Sequence, residues 1–209
     1  MAYQIIPVTP FAQNCSLIWC DQTNEAAIVD PGGDAQTIID AVERKRLEIK
    51  YVLLTHGHLD HVGATTEIAE YFKAPILGPH IADKFWLDSL EQQCQMFGFG
   101  QTKPFTPQRW LDAGEEVHIG KLTLSVKHCP GHTPGHIIFI DHQHRLAWVG
   151  DVLFHHSIGR TDFAQGSYPD LISSIKTNLL SLEDEYVFIP GHGPESTIGE
   201  ERAHNPYIQ

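Results

Sequence analysis

The sequence predicts an α/β protein built as an αββα sandwich, in which two mixed β-sheets are flanked by helices. Short apolar runs typical of strands alternate with amphipathic helical segments along the 209 residues. Four of the apolar runs also end in polar turns rich in histidine or aspartate, at 54–56, 127–132, 149–151 and 189–192. Ligand sites in α/β proteins gather outside the carboxyl ends of strands, so these four ends can converge on one cleft.

In the first half of the chain, three strands precede a helix. The turn Asp30-Pro31-Gly32-Gly33-Asp34 stops the third strand, and the helix after it carries Ile38, Ile39 and Val42 on one face. The predicted elements are strands 3–8, 16–20 and 26–29, helix 35–46, strand 49–54, helix 62–71 and strand 75–78.

The second half begins with a predicted helix at 81–97 and a loop at 98–108, and then returns to strands. These are expected at 116–119, 122–127, 136–140, 145–149 and 186–189, with helices at 168–180 and 196–203. The sequence contains no linker, low-complexity tract or short-period repeat. We therefore expect residues 1–209 to form a single domain, which is an ordinary upper size for one hydrophobic core.

Composition excludes several classes of protein. The formal net charge of −12 disfavours a nucleic-acid partner, because phosphate binding requires a basic face. No apolar run approaches the roughly 20 residues of a membrane span, and the first residues lack the features of a signal peptide. The four scattered cysteines form no C-x-x-C pair and are interpreted as reduced thiols. We expect a soluble, cytoplasmic protein that binds neither nucleic acid nor membrane.

The segment Thr55-His56-Gly57-His58-Leu59-Asp60-His61 indicates a metal site. It places three imidazoles and a carboxylate directly after an apolar strand. Imidazole nitrogen and carboxylate oxygen suit zinc, iron or manganese. Three downstream turns add His132, Asp151 and His192 to the candidate ligands. Seven ligands are more than one zinc ion can use, so two ions are expected.

These motifs together resemble the metallo-β-lactamase superfamily, and more narrowly its glyoxalase II (hydroxyacylglutathione hydrolase) branch. The resemblance rests on the histidine-rich segment, on Pro130-Gly131-His132-Thr133-Pro134-Gly135-His136, on Gly150-Asp151 and on Pro190-Gly191-His192-Gly193. It implies that His56, His58 and His132 bind one divalent ion, that Asp60, His61 and His192 bind a second, and that Asp151 bridges the two. Zinc is the expected metal, with iron or manganese possible.

The resemblance also implies an activity. A hydroxide shared by the two ions would attack an acyl carbon, and a thiolate would leave readily. The expected reaction is hydrolysis of a small thioester such as S-lactoylglutathione to lactate and glutathione. Asp60 is the predicted catalytic residue, since as a metal ligand it would also orient the hydroxide.

Other functions remain open from sequence. A persulfide dioxygenase of the same fold would use one iron held by His56, His132 and Asp151, and Gly159-Arg160-Thr161-Asp162-Phe163 resembles that group. A lactonase, a phosphodiesterase and a histidine-rich zinc-binding protein are further alternatives. Arg160 and Phe163 are the candidate substrate contacts, although an ion pair between Arg160 and Asp162 that braces the loop is the plainer interpretation. His136 is expected to pack or hydrogen-bond behind the site.

Overall fold

Two β-sheets packed face to face form the centre of the structure, a computed structural model that describes residues 1–98 and 100–208. Phe99, within the predicted loop 98–108, and Gln209, at the end of the predicted domain, lie outside the described residues. None of the described helices is both long enough and apolar enough to cross a membrane.

The first sheet has five strands in the order in which they occur along the chain. They are β1 (Ala2–Val8), β2 (Gln13–Trp19), β3 (Glu25–Val29), β4 (Glu48–Leu53) and β5 (Ile76–Leu77). The first two pairings are antiparallel, whereas β3 with β4 and β4 with β5 are parallel. The sheet is therefore mixed, as predicted.

The second sheet has six strands in the order β13-β12-β9-β8-β7-β6, and a separate two-stranded hairpin, β10–β11, follows β9 along the chain. Only the β12–β9 pairing is parallel. The strands are β6 (Glu116–Ile119), β7 (Leu122–His128), β8 (Ile137–Asp141), β9 (Leu146–Gly150), β10 (Leu153–Phe154), β11 (Ser157–Ile158), β12 (Val187–Pro190) and β13 (Ser196–Thr197).

Helices cover the outer face of each sheet. They are α1 (Ala35–Lys45), α2 (Leu59–Val62), α3 (Thr65–Phe72), α4 (Lys84–Asp88), α5 (Leu90–Phe97), α6 (Tyr168–Ser174) and α7 (Ile198–His204). A 3₁₀ turn at Ile81–Asp83 leads into α4, and a π-helical turn at Ile175–Leu179 extends α6.

Alternation along the strands builds three apolar layers. In β3, Ile28 belongs to the cluster beneath the α1 side, whereas Ala27 and Val29 face the second sheet. The layer between the sheets includes Phe139 and Trp148, and a third cluster packs α6 and α7 against the second sheet. Successive residues of a strand point to opposite faces, so strands buried on both faces are apolar throughout. The αββα prediction is confirmed.

Three helix predictions were wrong in detail. The predicted helix 62–71 begins only at Thr65, and a separate short helix, α2, ends at Val62. The two are separated because the backbone at Gly63 and Ala64 touches the turn after β3, where Ala64 N donates to Pro31 O at 2.9 Å. The predicted helix 81–97 breaks at Ser89, whose hydroxyl donates to Trp86 O at 2.9 Å. In the predicted helix 168–180, the last turn is π-helical. The β10–β11 hairpin and β13 were not predicted.

Candidate metal centre

The four polar turns singled out from the sequence meet at one edge of the sandwich. His56 and His58 follow β4, His132 lies between β7 and β8, Asp151 follows β9 and His192 follows β12. Asp60 and His61 lie in the short helix α2, which begins directly after His58. The structure thus brings together all seven predicted ligands from four segments of the chain.

Three imidazoles form the first group. Nδ1 of His58 lies 3.1 Å from Nε2 of His56 and 3.0 Å from Nε2 of His132. All three rings are buried. Three ring nitrogens therefore converge on one point from two different loops.

The second group contains a carboxylate and two imidazoles. Oδ2 of Asp60 lies 3.1 Å from Nε2 of His192 and 4.0 Å from Nε2 of His61. His61 is fully buried, whereas Asp60 and His192 are partly exposed. This group is the more accessible of the two.

Asp151 lies between the two groups. Its Oδ2 is 3.5 Å from Nε2 of His132 and 3.8 Å from Nε2 of His192, while its Oδ1 is 3.3 Å from Nε2 of His61. One carboxylate thus faces both sets of ring nitrogens, which is the position that a bridging ligand requires.

Hydrogen bonds on the outer side of His56 and His61 fix which nitrogen faces the site. Oδ2 of Asp30 accepts from Nδ1 of His61 at 2.9 Å and from the Thr55 hydroxyl at 2.6 Å. Because the hydroxyl donates to Asp30, its oxygen is left to accept from Nδ1 of His56 at 3.0 Å. With the outer proton on Nδ1, each of the two rings in its neutral form turns the lone pair of Nε2 inward.

Backbone carbonyls fix His132 and His192 in the same way. Nδ1 of His132 donates to Arg160 O at 2.8 Å, and Nδ1 of His192 donates to Phe11 O at 3.2 Å. A carbonyl can only accept, so each neutral ring again presents an unprotonated Nε2 to the site. Four imidazoles are therefore held as lone-pair donors by their outer partners.

The electrostatics of the site separate neutral from charged groups. Burial, followed by the neighbouring imidazoles, holds the pKa of His56 well below its usual range, and burial likewise lowers the pKa of His132. Burial would raise the pKa of Asp151, but His61 and the other imidazoles outweigh it and hold that pKa far below its usual range.

Burial would lower the pKa of His61, but Asp151 and Asp60 outweigh it and raise that pKa well above its usual range. The same carboxylates raise the pKa of His192. Metal binding at these two rings therefore releases protons.

Divalent metal ions fit this arrangement. Within the described part of the chain, Nε2 of His61 and Oδ1 of Asp151 are buried without a hydrogen-bond partner, although they are only 3.3 Å apart. Buried polar atoms in folded proteins are normally satisfied, and these two point into the space enclosed by the other donors. Nitrogen and carboxylate oxygen donors suit zinc, iron and manganese.

Asp83 is a residue of the site region that the sequence did not reveal. Its buried carboxylate accepts from Gly57 N at 2.9 Å, from the Thr133 hydroxyl at 2.8 Å and from Gly135 N at 2.6 Å. It thereby joins the loop that carries His56 and His58 to the loop that carries His132. A lone aspartate in an apparently continuous helix gave no signal of this contact.

Gln13 and Asn14, at the start of β2, were also missed because the predicted strand began at residue 16. Nε2 of Gln13 lies 3.4 Å from Nδ1 of His61, and Asn14 donates to Pro190 O at 3.0 Å and to Gly193 O at 2.8 Å. The pair anchors the turn that carries His192. The sequence feature that could have revealed them is a pair of amide side chains directly before a strongly apolar strand.

Aromatic side chains form one wall of the cleft. The Phe163 ring lies 4.7 Å from the His58 ring, and Trp86 lies 4.5 Å from His58 on another side. The Arg160 guanidinium lies 4.6 Å from the centre of the Phe163 ring and pairs with Asp162 at 2.8 Å. Of the two candidate substrate contacts, Phe163 thus lies against the candidate ligand His58, and the ion pair between Arg160 and Asp162 is present.

His136 lies behind the centre, as predicted from the sequence. The His136 ring stacks on His56 with centroids 4.6 Å apart, and its Nε2 accepts from Asp151 N at 3.1 Å. The Cys129 thiol is fully buried, and burial raises its pKa to about 12. A thiol in that state is a poor nucleophile.

Two glycines allow the backbone to approach the centre closely. A Cβ at Gly32 would lie 1.5 Å from the carbonyl oxygen of Asp60. A Cβ at Gly191 would lie 2.2 Å from Oδ1 of Asp151 and 2.5 Å from Cε1 of His61. No side chain fits at either position, so the glycines in these turns have a steric role.

Comparisons with a family model, with curated sequences and with solved structures agree with one another. A family model described as the metallo-beta-lactamase superfamily matches residues 8–192. Hydroxyacylglutathione hydrolase GloC of Haemophilus influenzae is 50% identical, over 100% of this chain and 98% of that protein. The structure of the BLEG-1 B3 metallo-beta-lactamase has a TM-score of 0.92 at 35% identity, covering 99% of both chains. That of TTHA1623 in a di-iron-bound form has a TM-score of 0.89 at 32% identity, covering 98% of this chain and 99% of the other.

Proposed function

The chain belongs to the metallo-β-lactamase superfamily and is a metallo-hydrolase, and within that class we propose that it hydrolyses S-lactoylglutathione to lactate and glutathione. The proposal has two parts, a two-metal centre and a thioester substrate. The first is supported by the site geometry, and the second by the 50% identity to a protein named hydroxyacylglutathione hydrolase.

The observation that carries the two-metal centre is the position of Asp151 between two complete groups of donors. We assign His56, His58 and His132 to one ion and Asp60, His61 and His192 to the other, with Asp151 shared. Three protein ligands and a shared carboxylate leave each ion open to substrate or water, as catalytic sites require. Zinc is our first assignment, and the same donors accept iron or manganese.

Divalent ions bound here would lower the pKa of water toward neutrality and polarise the thioester carbonyl. Around them, the side chains of the protein orient the reactants. Burial raises the pKa of Asp60, but the imidazoles of His61 and His192 outweigh burial and keep the carboxylate ionised. Its oxygens can therefore accept a hydrogen bond from the attacking water and aim it at the acyl carbon.

The thioester itself requires little further help. A thiol has a pKa of about 8.5, so the thiolate leaves without a dedicated proton donor. Trp86 and Phe163 cover the His58 side of the centre and exclude bulk water from it. We propose that the acyl group lies against this wall and that Arg160, at the rim, faces the thiol portion of the substrate.

The dioxygenase alternative uses a subset of the same residues. Nε2 of His132 and Oδ2 of Asp151 are 3.5 Å apart, so a single iron held by His56, His132 and Asp151 is sterically reasonable. A single iron bound in this way would not use the second group of donors, which consists of Asp60, His61 and His192. The presence of a fully built second group favours the hydrolase.

A comparison of turnover on four substrates tests the proposal. Purified metal-loaded protein is assayed with S-lactoylglutathione, with a lactone, with a β-lactam and with glutathione persulfide under an oxygen electrode. We expect thioester turnover to exceed that of the other three substrates by orders of magnitude. Oxygen uptake with the persulfide, or preferential ring opening of the lactone or β-lactam, would overturn the thioesterase assignment.

The proposal also covers the cellular compartment and the binding partners of the enzyme. All four cysteines are free and buried, which agrees with a reducing compartment, and we place the enzyme in the cytoplasm. We also propose that residues 1–209 act as one domain on a small-molecule substrate, without nucleic acid or membrane.

A further inference from the structure

A second cluster of metal-binding side chains lies outside the centre described above. It joins the β10–β11 hairpin to helix α7 through His156, Glu200 and His204. Oε1 of Glu200 lies 2.8 Å from Nε2 of His156 and 3.1 Å from Nδ1 of His204. The three ligand atoms all lie within 4.8 Å of one another.

Backbone contacts hold these side chains in place. His156 has a left-handed conformation, with φ of 55°, that a residue with a side chain adopts rarely. Its N–H donates to Oε2 of Glu201 at 2.8 Å, and Glu201 is fully buried. Thr197 caps α7 by accepting from Glu200 N at 3.1 Å. His204 follows Glu200 by four positions, so both face the same side of the helix.

Glu201 does not belong to the ligand set, although His155, His156 and Glu201 also bring their ligand atoms within 4.8 Å. Both of its oxygens are already engaged. Oε1 accepts from the Ser196 hydroxyl at 2.5 Å, and Oε2 accepts from His156 N and from Asn205 Nδ2, each at 2.8 Å. Glu201 therefore braces the hairpin from inside, while Glu200 presents its carboxylate outward.

We propose that His156, Glu200 and His204 form a peripheral site for one divalent transition-metal ion, with zinc the best match. Two imidazoles and a carboxylate are an established zinc donor set, and water completes the four-coordinate shell. Each imidazole can move its proton to its other nitrogen, which frees Nε2 of His156 and Nδ1 of His204 for the metal. The side chains are 40% to 62% exposed, which leaves room for the water ligands.

The bound ion has a structural consequence. The hairpin follows Asp151 directly, and its Phe154 ring lies 6.4 Å from the His192 ring. An ion that joins His156 to α7 therefore braces the segment between two ligands of the catalytic centre. The site itself does not depend on which reaction that centre catalyses.

Zinc stoichiometry tests the site. Wild-type protein and the variants His204→Ala, Glu200→Gln and His118→Ala are dialysed against a small excess of free zinc, and the bound metal is counted by elemental analysis. His118 is the matched control, because it is exposed and pairs with a single glutamate, Glu116, at 3.7 Å. The catalytic ligands are intact in all four proteins, so the difference between them reports only the peripheral site.

We expect His204→Ala and Glu200→Gln to bind one zinc ion fewer per chain than wild type, and His118→Ala to bind the same number. In wild type, zinc should also shift the NMR signals of the His156 and His204 rings. Equal zinc content in wild type and His204→Ala, or loss of an ion in His118→Ala as well, would overturn the proposal.

Discussion

Oδ2 of Asp30 accepts hydrogen bonds both from Nδ1 of His61, at 2.9 Å, and from the Thr55 hydroxyl, at 2.6 Å. Through Thr55 it also reaches Nδ1 of His56, so one carboxylate sets the orientation of a ring in each group of the centre. Asp30 itself has a left-handed backbone, with φ of 51°, in the turn that ends β3. The turn is thus part of the site and not only a connection.

Asp30→Asn should weaken the metal centre. Asparagine tolerates the left-handed backbone of Asp30, so the fold should survive. The neutral amide is a weaker acceptor for His61 and Thr55, and loss of such an outer partner typically costs 10–100-fold in metal affinity or activity. The measurement is zinc affinity by competition with a chelator. Unchanged affinity and turnover would show that Asp30 does not orient the ligands.

Asp60→Asn should reduce turnover by orders of magnitude while the fold persists. The carboxylate faces Nε2 of His192 at 3.1 Å and is the accessible charged group of the second donor set. A matched control is Asp88→Asn, which removes an exposed carboxylate that pairs with Lys84 and belongs to neither donor group. Steady-state kinetics compare the two variants. Near-normal turnover in Asp60→Asn would contradict its proposed role.

Gly191→Ala should disrupt metal binding sterically. Its Cβ would lie 2.2 Å from Oδ1 of Asp151, so that carboxylate must move. Gly193→Ala is the control within the same turn, because no heavy atom lies within 4 Å of its Cβ and only its φ of 78° opposes alanine. We expect Gly193→Ala to lose about 1–2 kcal/mol of stability and to retain its metal. Equal metal content in the two variants would contradict this steric argument.

Asp83→Asn should change how stability depends on pH. Burial raises the pKa of Asp83 to about 6, although hydrogen bonds from Thr133, Gly57 and Gly135 oppose the shift. The unfolded value is ~3.9, so folding favours the protonated carboxyl. The stability that Asp83 contributes is therefore complete below pH ~4 and is lost as the pH rises through 6, by about 3 kcal/mol in all.

Asparagine does not titrate, so the comparison isolates this group. Urea denaturation of metal-free wild type and Asp83→Asn between pH 4 and 7 gives the free energy of unfolding of each. The advantage of wild type over the variant should shrink as the pH rises from 4 to 6 and level off above it. A difference that stays constant over this range would show that Asp83 is not buried as a titrating group.

The sequence was informative where chemistry depends on residue type. The strong motif at residues 55–61 and the glycine-bounded His132, Asp151 and His192 led to side chains that the fold brings together from distant segments. Asp83 was missed because its role depends on the 3₁₀ turn Ile81–Asp83 before α4 and on loops more than 25 residues away. Hairpin β10–β11 was missed because its strands, Leu153–Phe154 and Ser157–Ile158, are too short to show alternation.

The most direct test of the central claim, a two-metal thioester hydrolase, is stepwise reconstitution of metal-free protein with zinc. Turnover of S-lactoylglutathione and oxygen consumption are followed on the same samples. We predict that turnover reaches a plateau at about two ions per chain, that a third, peripheral ion adds nothing, and that no oxygen is consumed. Full turnover at one ion per chain, or oxygen consumption in these samples, would contradict the account.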